Sequence, residues 1–548
     1  MFKSNRNPQF RSKFSEDIFY VKYAHKDAET LNELACTLVE DVCQTWLSKD
    51  EKEELIDHIT NLRFLPGGRY LYYAGRDKKF FNNCYLLKAE EDTREDWANL
   101  SWKSESCLMT GGGIGCDYSV YRPEGQTLRS TGGMSSGPIP KMMMINEIGR
   151  RVMQGGSRRS AIYASLNWEH GDINKFLTSK NWSNMPVGKT GQSIFDVKQD
   201  DFDFPAPLDM TNISVNYDTK WLLNFWETGE VGDVFKENVK QALSTAEPGF
   251  SFNFFEKENE TLRNACTEVT SEDDSDVCNL SSLNFARIDD LNQLQSLVCV
   301  ATKFLLCGTL RAQLPYDKVK LVREKNRRLG LGLMGLHEWL IQRGHRYETT
   351  PELHRWLKVY EAQSDRTAKE FAEKLSISTP AAVRAVAPTG TIGILAGTST
   401  GVEPIFAVAY KRRYLKNKRW HYQYDIYNIN PDKIESALDL SLDYERRLSF
   451  QANIQEYVDM SISSTINLPQ WGSENNNEDL IEPFAATLAK YAHRLRGFTC
   501  FPDGCRGGQP LTPVPYEEAK KKLGEEFEDN IQTHDVCEIS NSGGICGS

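Results

Sequence analysis

The middle of this chain alternates short strand-like runs with longer amphipathic helices, and that alternation restricts its fold more than any other feature. Ser160 to Leu166 reads as a strand, whereas Lys141 to Gln154, Leu291 to Leu310 and Pro351 to Leu375 carry apolar residues at helical spacing. Strands separated by helices favour a mainly parallel sheet with covering helices, because a parallel pair needs a long crossover. With 548 residues, 40% of them hydrophobic, the chain can bury a large core. Three stretches follow from the pattern. Leu31, Leu34, Leu38, Val39 and Val42, then Asp50 to Leu62, predict a helical region over 1–62. The alternating part occupies 63–510. After the helical pattern of Glu478 to Arg496 come Pro510, Pro513 and Pro515 and a charged run, so 511–548 is expected to form a flexible tail with Cys546 near its tip.

Charge narrows the function classes. A net charge of −11 opposes a face that neutralises nucleic-acid backbone, though it permits a local site for a small phosphate. Met1 to Phe10 is too polar for a secretory signal and no later run reads as a membrane span, so no membrane partner and a cytoplasmic location are expected. Thirteen cysteines in a long chain of this kind suggest thiols, metal ligands or redox groups, not a disulfide scaffold.

Four segments rich in glycine or turn formers could present backbone N–H groups and hydroxyls to a phosphate: Thr110 to Gly115, Thr131 to Pro138, Gln154 to Arg159 and Pro388 to Gly393. None matches a P-loop or a dinucleotide fingerprint, and each alone reads more readily as a tight turn, but four in one chain, one with the paired Arg158 and Arg159, tilt toward nucleotide binding. Asn264-Ala265-Cys266-Thr267-Glu268 sets an amide and a carboxylate two residues either side of a thiol. In an extended segment all three project to one face. A lone cysteine is usually a small buried hydrophobe, and only its neighbours argue otherwise here. Cys278 lies twelve residues further on and Cys84 far upstream. Spacing cannot show whether the two meet, since a disulfide needs Cα atoms within about 7 Å. Cys500 and Cys505, with His534, Cys537 and Cys546, leave a zinc site open, although the spacing fits no usual knuckle.

Read together, these segments resemble the catalytic chain of the ribonucleotide reductases from about Phe64 to Pro513, and in particular the adenosylcobalamin-dependent class. The resemblance implies a ten-stranded α/β barrel of two five-stranded parallel halves around a central finger loop. Cys266 would be the thiyl that removes the 3′ hydrogen of the ribose, Glu268 would take the 3′-hydroxyl proton and Asn264 would hold the hydroxyls. The reducing pair falls on Cys84 and Cys278, and the tail pair that recharges it on Cys537 and Cys546. Pro388, Thr389, Gly390, Thr391 and Ile392 correspond to the phosphate loop, with Asn83 and Gly113 lining the same pocket. Arg122 to Gly137 is similar to the first specificity loop and Gln154 to Ala161 to the second. Arg158 or Arg159 is placed to couple effector to substrate base, and Asp92 is placed for the effector ribose.

The class rests on the C-terminal third. The metal-radical class would show an adjacent tyrosine pair after Ser461 to Pro469, where only isolated Tyr491 and Tyr516 occur. Gly497-Phe498-Thr499 and Asp503-Gly504-Cys505-Arg506 are similar to the cobalamin class instead. The chain departs from the family at Ala265 and Thr267, where Pro and Gly are common, at Cys505, where Ser is usual, and in its wider tail spacing; Cys500 with Cys505 is an alternative redox pair. The resemblance further implies ribonucleoside di- or triphosphate substrates, deoxynucleotide or ATP effectors, a thioredoxin- or glutaredoxin-like reductant, a monomer or homodimer, and no radical-generating subunit. Two other readings remain: a reductase of this fold with a metal-radical partner subunit, and a catalytically silent nucleotide-binding or zinc-stabilised protein on the same barrel.

Overall fold

The computed structural model describes residues 10–528 apart from 129–130, 153–159, 190, 202–203, 417–418, 428–430 and 507–510. Nine strands build the centre: β1 (Cys84–Lys88), β2 (Gly113–Asp117), β3 (Ile162–Asn167), β4 (Thr211–Tyr217), β5 (Gly249–Phe252), β6 (Asp276–Asn284), β7 (Leu329–Met334), β8 (Thr465–Leu468) and β9 (Gly497–Pro502). β1 to β5 pair in order, each parallel to the next. β6 and β7 are parallel, as are β8 and β9. Between them runs an extended segment in which Arg384 bridges Leu331 of β7 and Val386 bridges Ile462, both in parallel. Counting that segment, each half has five staves. The halves join through two antiparallel seams, β1 to β6 and β5 to β9, which closes the ring. This is the expected barrel.

Closure gives the sheet an inside and an outside, which the residues respect. Cys84, Leu86, Cys278, Leu280, Ala385 and Ala387 share one inner cluster. The opposite faces of the same strands, with Tyr85, Leu87 and Val277, pack outward against the helices. Helix Leu291–Arg311, whose N-cap Asp290 accepts from the N–H groups of Asn292 and Gln293, buries Val298, Ala301, Leu305 and others in the largest cluster. Helix Pro351–Lys374 carries Thr350 as N-cap and Pro351 in its first turn. A lost cap of this kind costs about 1 kcal/mol, whereas each large apolar side chain buried adds roughly 1.5–3 kcal/mol. Packing therefore dominates these long helices. By length and composition alone Leu291–Arg311 could cross a membrane, contrary to the sequence reading, but two-thirds of its apolar window is buried in the protein.

The N-terminal region is helical as expected, at Leu31–Cys43 and Lys49–Thr60, each opened by a capping box. An additional helix, Lys13–Lys22, precedes them. The segment from 511, read from sequence as the start of the tail, is ordered to 528. Leu511–Pro513 and Glu526–Glu528 flank the hairpin Ala409–Lys416 and Arg419–Ile426 in a separate four-stranded sheet. Phe527 packing on Tyr422 and Tyr424 provides the apolar contact that proline and charge counts concealed.

Candidate active site

A finger enters the barrel between two short paired strands, Leu262–Arg263 and Thr270–Ser271. It is seated from three sides. Gly115 of β2 has no Cβ, which lets the Arg263 carbonyl lie against its backbone. Asn212 Nδ2 donates to the Ala265 carbonyl at 3.0 Å, and the Ser461 N–H donates to the Glu268 carbonyl at 2.9 Å. The buried Arg263 guanidinium donates to Asn253 Oδ1 at 2.7 Å and to the Arg496 carbonyl at 3.1 Å, which fixes the finger's root.

The sequence reading laid Asn264, Cys266 and Glu268 along one face of an extended segment. The structure corrects this. Joining two antiparallel strands requires a reversal, and it is made by the Thr267 N–H donating to the Asn264 carbonyl at 2.9 Å, with Thr267 at φ +69°. The turn folds Asn264 and Glu268 inward together, each 1% exposed, and leaves Cys266 half-buried at the tip.

Cys84 opens β1 and is the direct antiparallel partner of Cys278 on β6. Opposed residues of such a pair have Cα atoms about 4.5–5.5 Å apart, inside the disulfide range. All eleven described cysteines are outside disulfides. Asn264 Nδ2 lies 3.0 Å from Cys84 Sγ, and its Oδ1 accepts from the Val269 N–H at 2.9 Å, which orients the amide. Glu268 Oε1 is 3.9 Å from Cys84 Sγ. Burial pushes the Glu268 carboxyl up to about 7, and its Oε2 has no hydrogen-bond partner. A buried carboxyl poised near neutrality with an unengaged oxygen suits proton transfer. The structure thus brings four of the five proposed catalytic residues together, Asn264 and Glu268 against Cys84 and Cys278 opposite it across the seam, with Cys266 at the tip of the same finger.

The phosphate-loop candidates lie at one end of the barrel. Because the halves run in opposite directions, the starts of β1 and β2 and the exit of the 384–386 segment face the same way. The Gly113 N–H donates to the Asn83 carbonyl at 2.9 Å, and the buried amide oxygens of Asn82 and Asn83 have no partner. Pro388 leads to Thr389, at φ +53°, whose Oγ1 accepts from the Gly401 N–H at 2.8 Å; Gly390 and Thr391 open the short helix Gly390–Ala396, which buries Ile392. Lys22 Nζ reaches Thr391 Oγ1 at 3.3 Å, a cation at the loop that the sequence reading missed because it lies in the unrecognised first helix.

Two effector candidates meet. Arg122 Nε pairs with Asp92 Oδ2, and the Arg122 N–H donates to the same oxygen at 3.2 Å. Arg158, Arg159, Cys537 and Cys546 lie outside the described residues. Cys500 points to the outer layer, donating to the Ala242 carbonyl at 3.4 Å, away from the inner cluster. Among the described residues no group of three or more His, Cys, Asp or Glu side chains is arranged to hold a metal. Tyr491 hydrogen-bonds Glu445 at the surface and Tyr516 is 39% exposed. Ser461 was overlooked: its hydroxyl is fully buried beside the finger without a partner, and nothing in the sequence around it marks it.

A family model described as ribonucleotide reductase, barrel domain, matches residues 82–192, 218–370 and 378–496. The vitamin B12-dependent ribonucleoside-diphosphate reductase of Mycobacterium tuberculosis is 27% identical, over 89% of this chain and 77% of that protein. Its namesake in Thermoplasma acidophilum is 26% identical, over 86% of this chain and 67% of that protein. Among solved structures, the Actinobacillus ureae class Id ribonucleotide reductase alpha subunit superposes with a TM-score of 0.69 and 15% identity, covering 91% of this chain and 99% of its own, a likeness of fold.

Proposed function

Since the chain belongs to the ribonucleotide reductase barrel family, we propose that it reduces ribonucleotides to 2′-deoxyribonucleotides by thiyl chemistry on Cys266, with adenosylcobalamin as its radical source. The observation that carries this reading is the opposition of Cys84 and Cys278 across the seam, with Asn264 and Glu268 folded against Cys84. Cys266 would give up its hydrogen atom at Sγ and take the 3′ hydrogen of the ribose. Glu268 would accept the 3′-hydroxyl proton on its unengaged oxygen while Asn264 holds the hydroxyls. One thiol of the pair protonates the leaving 2′-hydroxyl, which departs as water. The second thiol's hydrogen and the two electrons the pair releases complete the C2′–H bond, and both sulfurs end as a disulfide. Cys266 would return the hydrogen it took to C3′ while Glu268 gives its proton back to the 3′ oxygen. Resetting the pair requires thiol–disulfide exchange with a dithiol, delivered by Cys537 and Cys546 or directly by a thioredoxin- or glutaredoxin-like reductant.

The residues around the finger tip fit the cofactor. Cys266 is the member of the trio that is not buried; its neighbour Ala265 is seated on Gly113, where an added Cβ would stand 3.4 Å from the Ala265 Cβ, and its neighbour Thr267 lies near Gly497, where an added Cβ would stand 3.9 Å from the Thr267 Oγ1. These residues would line the cofactor's approach. When bound, adenosylcobalamin supplies an organic radical by homolysis. The phosphate-loop residues Pro388 to Ile392, with Asn83 and Gly113, would hold the substrate phosphates; Asp92 and Arg122, with Arg158 or Arg159, would meet a deoxynucleotide or ATP effector.

The test is incubation of the purified protein with ribonucleoside di- or triphosphates, adenosylcobalamin and a dithiol. Deoxynucleotide should form with no second protein. Product that appears only with a metal-loaded radical subunit would overturn the cofactor assignment, and no product under either condition would overturn the reading of Cys266.

A further inference from the structure

Arg328, which no part of the reaction above employs, stands beside the reducing pair. β7 runs parallel to β6 with Leu329 opposite Asn279, so the next position back sets Arg328 level with Cys278. Two residues on, Gly330 lies so close that a Cβ there would sit 3.2 Å from Cys278 Sγ. Residues two apart on a strand share a face, so Arg328 and Gly330 flank Cys278 from the same side. The Arg328 side chain is 5% exposed; its Nε donates to Asp276 Oδ2 at 2.7 Å, its Nη1 is 3.8 Å from Glu260 Oε1, and that Nη1 makes no hydrogen bond.

These partners tie Arg328 to both roots of the finger. Glu260 precedes Arg263 and accepts from Thr270 Oγ1 at 2.8 Å and from Arg496 Nη2 at 3.0 Å. Asp276 accepts from Ser271 Oγ at 2.6 Å and from Asn326 Nδ2 at 2.8 Å. Arg328 therefore cannot leave Cys278 without breaking the clamp that holds Cys266 in place. Burial pushes the Cys278 thiol well up, Asp276 and Glu268 push it the same way, and Arg328 acts against them. Cys84 lies against that same Glu268 carboxyl, at 3.9 Å, which disfavours a second negative charge there, and it faces the neutral Asn264 amide at 3.0 Å where Cys278 faces a cation.

We propose that Arg328 is a positioning residue that makes Cys278 the leaving sulfur when the spent Cys84–Cys278 disulfide is reopened, and so directs the reductant to Cys84. The reductant's thiolate bonds to the Cys84 sulfur, the S–S bond breaks, and the electron pair leaves on Cys278 facing the guanidinium. The reductant's second thiol then attacks its own sulfur in the mixed disulfide and releases Cys84. The reductant is left as a disulfide, and its two protons end on Cys84 and Cys278. The inference rests on the proposed function only in taking these two cysteines as the pair.

The test needs no cofactor. The full chain is oxidised with diamide, exposed briefly to glutathione, quenched in acid, alkylated and mapped by mass spectrometry. Glutathione should be found on Cys84 and the alkyl group on Cys278. Arg328→Met should slow reopening by about tenfold or more, because exchange slows as the leaving thiol becomes more basic, whereas Arg328→Lys should stay within about threefold. Glutathione found chiefly on Cys278, failure of the pair to oxidise, or reopening of Arg328→Met at the wild-type rate would each overturn the proposal. Should Arg328→Met fail to fold, the adduct position in the unaltered chain decides. Deoxynucleotide formation with the adduct on Cys278 would sink this inference alone and leave the proposed function standing.

Discussion

Replacing Glu268 by glutamine should make the protein more stable and less active, with a pH dependence that identifies the cause. In the folded chain the Glu268 carboxyl lies at about 7, from an ordinary 4.5, because it is fully buried. A carboxyl raised on folding leaves the native state holding more protons than the unfolded chain between those values, so stability falls as pH rises from about 4.5 to about 7. A rise of that size corresponds to roughly 3 kcal/mol above pH 7 and to less than about 1 kcal/mol at pH 5. The glutamine amide would keep the shape and carry no charge, so Glu268→Gln recovers most of that difference at pH 8 and little at pH 5. For a chain of this size an unfolding entropy of about 1.2 kcal/mol/K turns this into a rise in Tm of about 3 °C at pH 8 and under about 1 °C at pH 5. The assay is thermal unfolding of both proteins in matched buffers. In parallel, kcat for deoxynucleotide formation should drop by about 10²- to 10⁴-fold, the usual contribution of a general base. Equal changes in Tm at the two pH values would refute the reasoning, since an unshifted carboxyl leaves no pH-dependent penalty to remove.

Cys266→Ser should abolish product formation while nucleotide binding, measured by calorimetry, stays within about threefold, because the role proposed for the thiol lies in the reacting step and not in holding the bound nucleotide. Cys84→Ser or Cys278→Ser should stop turnover with small dithiols; Cys546→Ser should stop it only with a protein reductant, and equal loss in both assays would give Cys546 a structural role. Gly115→Ala should unseat the finger, since a Cβ at that position collides with the Arg263 carbonyl; activity should fall at least about 100-fold, because a reacting group displaced by about 1 Å loses its near-attack geometry, with a fold-intact circular dichroism spectrum as the control. Thr267→Gly should relieve the positive φ of a β-branched residue and raise Tm slightly, the roughly 1–2 kcal/mol relieved being partly offset by the freer unfolded chain; a lower Tm would show that the threonine side chain contributes more than its strain removes.

The sheet and its covering helices were legible because strand and helix periods differ, and Leu291 to Leu310 or Pro351 to Leu375 declare their helices within a residue at each boundary, whereas closure into a barrel came from the family resemblance alone. The identity of the trio was legible and its geometry was not. Alternation in sequence suggested a shared face, whereas the chain reaches that arrangement through a reversal at Thr267 that no side-chain pattern announces. The meeting of Cys84 with Cys278 depends on a seam between halves far apart in sequence, which local spacing does not encode. Lys22, Ser461 and Arg328 escaped notice for the same reason: each acts on a neighbour supplied by another part of the ring. The ordered segment through 528 was hidden by prolines and charges that report on chain stiffness and solubility, and say little about a single ring such as Phe527 finding an aromatic surface.

The seam also has a mechanical meaning. Its two cysteines belong to opposite halves of the ring, so their oxidation would be a rivet driven through one join, while the other, where Gly497 and Phe498 meet Ser251 and Phe250, relies on backbone hydrogen bonds. Each turnover would then fasten and release the enzyme's own frame. Resistance to unfolding should differ between the spent and recharged forms, by a margin set largely by the long stretch of chain the cross-link encloses. A machine of this kind carries a record of its last reaction in its stiffness, and a protease or a denaturant could read that record without any substrate present.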